Sequence, residues 1–236
     1  MEERSYSFSQ HTAIISQKHR LLIMDTLQTK LTKTFLESFK DPNEAFESIA
    51  QDLLTSYVIQ KGEVKYRLTD IEFYLYHDGH QDIITYPRIS PAGSWFFHAS
   101  GVDITFESDV FFPKHSKKPR LTSNAFFGGI LIRGIEKIVP GGKYEPFKGP
   151  MLSCDELFDQ FDAFGNVQNF PKMVPCKPMD GRVFQLKSRF GLILDADKKV
   201  DSILKYNYVG SDINREVLIQ AYKNFLNAPY HYVLQR

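Results

Sequence analysis

Glu72 and Tyr74 are the residues whose types and spacing best suit chemistry. They lie in Tyr66-Arg67-Leu68-Thr69-Asp70-Ile71-Glu72-Phe73-Tyr74-Leu75-Tyr76, which reads as a strand. Side chains alternate across a strand. Ile71, Phe73 and Leu75 then face one way, as core, and Asp70, Glu72, Tyr74 and Tyr76 face the other. Two acids among two tyrosines suit a site that holds a planar base and polarises a water beside it. The plainer reading is an amphipathic strand whose acids are solvated.

A second charge sits in an unexpected place. Phe126-Phe127-Gly128-Gly129-Ile130-Leu131-Ile132-Arg133-Gly134-Ile135-Glu136 is almost continuously apolar, as in a central strand covered on both faces. Arg133 falls on one face with Leu131 and Ile135. A guanidinium there needs a carboxylate, because an unpaired buried charge is costly. Asp103 or Glu72 could serve; the alternative is a strand end that reaches water. Gly128 and Gly129 let another chain or a ligand come close. In Val102-Asp103-Ile104-Thr105-Phe106-Glu107 the apolar set faces the core and Asp103, Thr105 and Glu107 face the other side.

The histidines raise a metal question. His77, His80 and His98, with Asp82 and Asp103, are candidate ligands, but no spacing here is a zinc signature. We therefore expect neither metal nor cofactor. Lys114, Lys117, Lys118 and Arg120 make the one dense basic patch, read either as a solvated loop or as a phosphate contact. Neither Gly128-Gly129 nor Gly141-Gly142 fits a nucleotide-binding glycine pattern. No Gly-x-Ser-x-Gly elbow is present, which argues against a serine hydrolase.

The elements that must position these residues follow from periodicity. Residues 1–20 are polar and read as an arm. The spacing of Leu27, Leu31, Phe35 and Phe39 predicts a helix over 23–39. Pro42 opens a second helix to about residue 55. Tyr57 to Gln60 and Val64 to Tyr76 form a hairpin about Lys61-Gly62. Short strands are expected at 94–98 and 102–106, and a long one over 126–138. A helix from Gly149-Pro150 should reach about 161, with 165–181 irregular. A strand over 182–194, a helix near 212–226 and a closing strand at 230–234 complete the chain. Early helices and short, antiparallel-looking strands argue for α+β. The expected division is 1–42 as arm and helix and 43–236 as one domain.

Composition limits the partners. The 236 residues carry a formal net charge of +1, so a polyanion must be met by a local patch. Cys154 and Cys176 read as ordinary thiols of a reducing compartment. No apolar run reaches membrane-spanning length. The N-terminus lacks a signal-peptide pattern. A cytoplasmic monomer is expected.

Several segments, in order, resemble the alkyladenine (3-methyladenine) DNA glycosylase family. Ala45 to Val58 is similar to its opening helix, and Asp70-Ile71-Glu72-Phe73-Tyr74 to its Glu-Thr-Glu-Ala-Tyr motif. Ser94 to Phe106 resembles the aromatic hairpin, and Phe127 to Glu136 the strand ending Leu-Leu-Arg-Ala-Leu-Glu. Gly149-Pro150-Met151-Leu152-Ser153-Cys154 resembles a Gly-Pro-x-x-Leu-Cys helix start, and Pro229 to Val233 the last strand. The resemblance covers roughly residues 43–236 and implies a curved, mostly antiparallel sheet or partly open barrel with flanking helices. Such a protein flips out and excises an alkylated or deaminated purine from duplex DNA.

On that resemblance Glu72 activates water, Arg133 lies beside it, and Tyr74 and Phe97 stack on the base. His80 stands for the pocket histidine with a gap, and His98 and Asp103 are additions beside the base. The basic loop holds phosphate. Ser100 replaces the family's wedging tyrosine, and Glu107 stands near an asparagine that screens guanine. These departures keep two other readings open: a binding module without the activity, and a hydrolase of a small nucleoside-like substrate.

Overall fold

The computed structural model describes residues 27–159, 165–186 and 195–235. The arm 1–20, the first turn of the helix expected from 23, residues 160–164 with the expected end of the helix from Gly149-Pro150, and the strand end at 187–194 lie outside those residues.

Local chemistry explains the first elements. A helical turn at 27–30 is followed by α1 (Lys33–Glu37), not by one helix over 23–39. Thr32 causes the break: its hydroxyl donates to the Thr29 carbonyl at 2.7 Å and accepts from Phe35 N at 3.3 Å. It thus closes one turn and caps the next. α2 (Pro42–Thr55) has Asp41 as N-cap and Pro42 in its first turn, and it buries Phe46, Ile49, Leu53 and Leu54 completely. Phe46 stacks on Phe73 with ring centroids 4.6 Å apart. Leu31 and Leu36 belong to the same buried cluster, so residues 27–42 pack with the body of the protein.

The rest is α+β. β1 (Tyr57–Lys61), β2 (Val64–His77), β3 (His80–Gln81), β4 (Trp95–His98), β5 (Gly101–Thr105), β6 (Phe127–Val139) and β7 (Lys143–Lys148) precede α3 (Pro150–Leu157). β8 (Lys172–Pro175), β9 (Arg182–Leu186), α4 (Ala196–Asn207), α5 (Arg215–Leu226) and β10 (His231–Gln235) follow. The ten strands form one open sheet in the order β4-β5-β6-β2-β1-β8, and every strand pair in it is antiparallel. β10 pairs with β2 opposite Asp70–Glu72 and carries β9 on its other edge.

Further elements depart from the sequence reading, among them β3, a two-residue strand paired with the end of β2. β7 contains Pro146, tolerated because it is an edge strand on β6. β8, within the stretch expected to be irregular, extends β1. α4 starts where the Asp195 carboxylate accepts from Asp197 N and Lys198 N.

Two packed regions flank the sheet. Ile71, Phe73 and Leu75 join Val102, Ile104, Ile130 and Ile132 beneath α2, as alternation requires. On the opposite face Tyr76 stacks on Phe127 at 4.8 Å, and Val200, Leu218 and Tyr222 of α4 and α5 cover that end. A bulge interrupts the β2–β6 ladder: Leu68 faces Ile135, Asp70 faces Gly134, and Ile71 faces Ile132. It reverses the parity expected for β6. Ile132 and Ile135 both enter the core, while Arg133 stays on the side of Leu131. Gly134 permits this, because a Cβ there would sit 2.9 Å from the Thr69 hydroxyl and 3.0 Å from the Asp70 Cβ. No helix among the described residues is long and apolar enough to cross a membrane.

Candidate functional site

The β2–β6–β10 junction gathers four polar side chains around Glu72. Glu72 is fully buried. Its Oε2 accepts from the Tyr74 hydroxyl at 2.8 Å and from Arg133 Nη1 at 3.2 Å. Of the two carboxylates proposed for Arg133, Glu72 is the one it meets, and Asp70 lies 3.7 Å from its Nε. β10 adds a residue that sequence reading missed. His231, 1% exposed and opposite Glu72 in register, places Nε2 at 2.6 Å from Asp70 Oδ1 and Nδ1 at 4.0 Å from Glu72 Oε1. The result is two acids interleaved with an arginine and a histidine. The cluster communicates with water at its Asp70 and Arg133 edge, where the side chains are 31% and 15% exposed. Chemically, it holds one carboxylate in a fixed orientation with a hydroxyl and a guanidinium on one oxygen. That arrangement fits a general base or a stabiliser of positive charge.

A second cluster lies on the same face. Leu131 of β6 pairs with Glu72 on one side and with Asp103 on the other. Two strand spacings therefore separate the acids, about 10 Å at the backbone. Asp103 does not reach Arg133. Its Oδ2 accepts from Arg88 Nη1 at 2.7 Å and its Oδ1 meets His98 Nε2 at 2.9 Å. Arg88 also donates Nε to the Tyr86 carbonyl and lies 3.9 Å over the Phe96 ring. Burial pushes its guanidinium below the usual range, against the opposing pull of Asp103. His98 Nδ1 accepts from Ser100 N at 3.2 Å, so both ring nitrogens are held within the chain. Arg88 gave no sequence signal of its own, but Gly129 did: a Cβ there would stand 2.9 Å from Arg88 Nη1. The close approach expected at Gly129 is made by this side chain.

The remaining candidates lie elsewhere. His80 is buried on the core side: Nδ1 bonds the Leu75 carbonyl and Nε2 the Tyr230 hydroxyl, each at 2.8 Å, with Phe46 and Phe225 around the ring. Burial lowers its pKa. Phe97 pairs with Val102, whereas Phe96 pairs with Asp103. Directly opposed residues share a face, so Phe96, not Phe97, is the ring on the Glu72 side. Phe97 packs edge-on against Phe158 instead. Glu107 accepts from Lys33 N at 2.9 Å at the start of α1, a helix-terminus role. Lys114, Lys117, Lys118 and Arg120 are exposed, and Arg120 forms two bonds with Asp212 Oδ1 at 2.8 and 2.6 Å. Among the described residues, no three His, Cys, Asp or Glu side chains are placed to hold a metal ion.

Neither a family model nor a solved structure matches the chain. It is similar to uncharacterized protein L759 of Acanthamoeba polyphaga mimivirus, 30% identical over 165 residues that span 57% of this chain and 73% of the relative.

Proposed function

The chain belongs to the same family as the mimivirus protein, whose name states no activity, and we propose from the site that it hydrolyses the N-glycosidic bond of a damaged purine. The reading takes the open antiparallel sheet and its helices as a divergent form of the 3-methyladenine DNA glycosylase fold. The observation that carries it is the buried Glu72 carboxylate held by the Tyr74 hydroxyl and Arg133.

The proposed chemistry is modest. An alkylated purine is cationic and leaves readily. Water attacks the sugar carbon, the C–N bond breaks, and its electron pair departs with the base as a neutral purine. Glu72 orients the water and takes its proton through Oε1, the oxygen facing His231. The carboxylate also stabilises positive charge as it develops on the sugar. Arg133 and Tyr74 keep Oε2 in place, and the Tyr74 ring offers a face to the base.

A small nucleoside-like substrate is the second reading. It is favoured because His98 and Asp103 are bonded to each other and Arg120 to Asp212, which leaves fewer groups to meet a duplex. One experiment separates the two. Base release is measured from duplex DNA carrying a methylated or deaminated purine and from the matching free nucleoside, for wild type and Glu72→Gln. Release from DNA by wild type alone supports the first reading, and release from nucleoside alone supports the second. Equal release by both proteins rejects Glu72 as the acting group. No release from either substrate rejects the hydrolase.

A further inference from the structure

Residues 111–120 carry three lysines and an arginine with no acid among them. They also carry two rings that the fold leaves in water: Phe111 is 57% exposed and Phe112 38%. Large apolar groups exposed side by side call for an explanation that single ones do not.

The loop is built, not slack. The Phe111 carbonyl accepts from Arg120 N at 2.9 Å, which closes its base. The Ser116 hydroxyl donates to the Lys118 carbonyl and accepts from Lys118 N, and His115 at the tip holds φ at +63°. That backbone region is uncommon outside glycine and costs free energy that the surroundings must offset. The loop is docked on the end of α4. Lys118 Nζ donates to the Lys205 carbonyl at 3.0 Å, and Val209 N donates to the Pro119 carbonyl at 3.0 Å. This brings Tyr206, 64% exposed, and Lys205, whose Nζ lies 5.4 Å from the Tyr206 ring centre, onto the same surface. Asp212 answers only Arg120.

We propose that the 111–120 loop and the end of α4 form a surface that binds single-stranded nucleic acid, its rings stacking on bases and its lysines meeting phosphates. A single strand presents flat bases and negative phosphates, and this surface carries the exposed rings of Phe111, Phe112 and Tyr206 together with lysine ammonium groups. Base stacking on aromatic side chains is sequence-tolerant because every base has a π-face. A net charge of +1 does not oppose this, because contact strength depends on the local patch. The surface stands apart from the reaction assigned to Glu72 and binds whether or not a bond is cut, so binding and base release fail independently.

The test is fluorescence anisotropy with a labelled single strand of about 20 nucleotides, between about 50 and 200 mM salt. Thermal melts confirm that each variant is folded. Wild type is expected to bind with an affinity that falls as salt rises. Lys114→Ala with Lys117→Ala should flatten the log–log salt slope by about 1.4, from about 0.7 per phosphate contact. Phe111→Ala with Phe112→Ala should weaken binding about tenfold and leave the slope unchanged. No binding at low salt overturns the proposal, and so does binding that neither variant alters. Retention on phosphatidylserine vesicles without oligonucleotide binding also overturns it, and assigns the surface to membranes.

Discussion

The Glu72 and Asp103 clusters sit on one face of one sheet, a strand apart on either side of Leu131, and are built from the same residue types. Each pairs an arginine with a carboxylate and sets a histidine beside it. In the Asp103 cluster the chain itself takes up the bonding: Arg88 and Asp103 are 2% and 3% exposed, and His98 is bonded at both nitrogens. In the Glu72 cluster the buried acid is linked to a partly open edge at Asp70 and Arg133. A closed ionic cluster is a strut, whereas an open-edged one can exchange protons and meet a ligand. The comparison teaches that two clusters of like residues on one sheet face can differ in how far they reach water.

The sharpest way to break that contrast is to neutralise each acid in turn. Glu72→Gln should lower the proposed base release about 10²–10⁴-fold, the range of general acid–base assistance, with binding retained. Single-turnover kinetics and equilibrium binding measure the two separately; unchanged turnover would make the Glu72 cluster another strut. Asp103→Asn should act on stability instead. It leaves the buried Arg88 without its anion, at a cost of about 3–5 kcal/mol in denaturant unfolding. The double change Arg88→Met with Asp103→Leu should recover much of that loss, because a well-packed apolar pair often equals a buried ion pair.

Gly129→Ala tests the close contact under Arg88. Its Cβ would stand 3.0 Å from the Ile104 carbonyl oxygen and 2.9 Å from Arg88 Nη1, so a loss of about 1–3 kcal/mol is expected from overpacking. A neutral result would mean that Arg88 moves aside freely and that the closed cluster is looser than its geometry. The smallest effect concerns a histidine with no acid bonded to its ring. Burial lowers the pKa of His77 and of His80. The unfolded chain then binds protons before the folded one does. Their contribution is complete above the ordinary histidine value of about 6.5 and is lost as pH falls below it. His80→Gln should therefore shrink the loss of unfolding free energy between neutral and mildly acid pH. An identical pH profile would contradict this.

Much of the framework was legible because it depends on neighbours in the chain. Pro42 and the apolar spacing after it give α2, and the alternation along 70–76 separates the core face from the polar one. Arg133 announced its need for a carboxylate through the apolar run around it. The rest of the site was not legible. His231 meets Asp70 from 161 residues away and lies in a short segment whose pattern reads only as a strand. Arg88 comes from a loop rich in proline and glycine. β7 is masked by Pro146, and α4 by a run of charged residues whose apolar face is narrow.

What the sequence by itself determined is which residues are apolar, which can ionise and which way they alternate, because these depend on side-chain chemistry and on the two-residue period of a strand. What only the tertiary structure decided is pairing. The β2–β6 bulge sends Ile135 inward and keeps Arg133 beside Glu72. The β4–β5 register puts Phe96 beside Asp103 and turns Phe97 away. A shift of one residue in register moves every side chain of a strand to the other face. Register is a property of two strands together, set by turns, bulges and the contact of distant segments, and no single strand contains it.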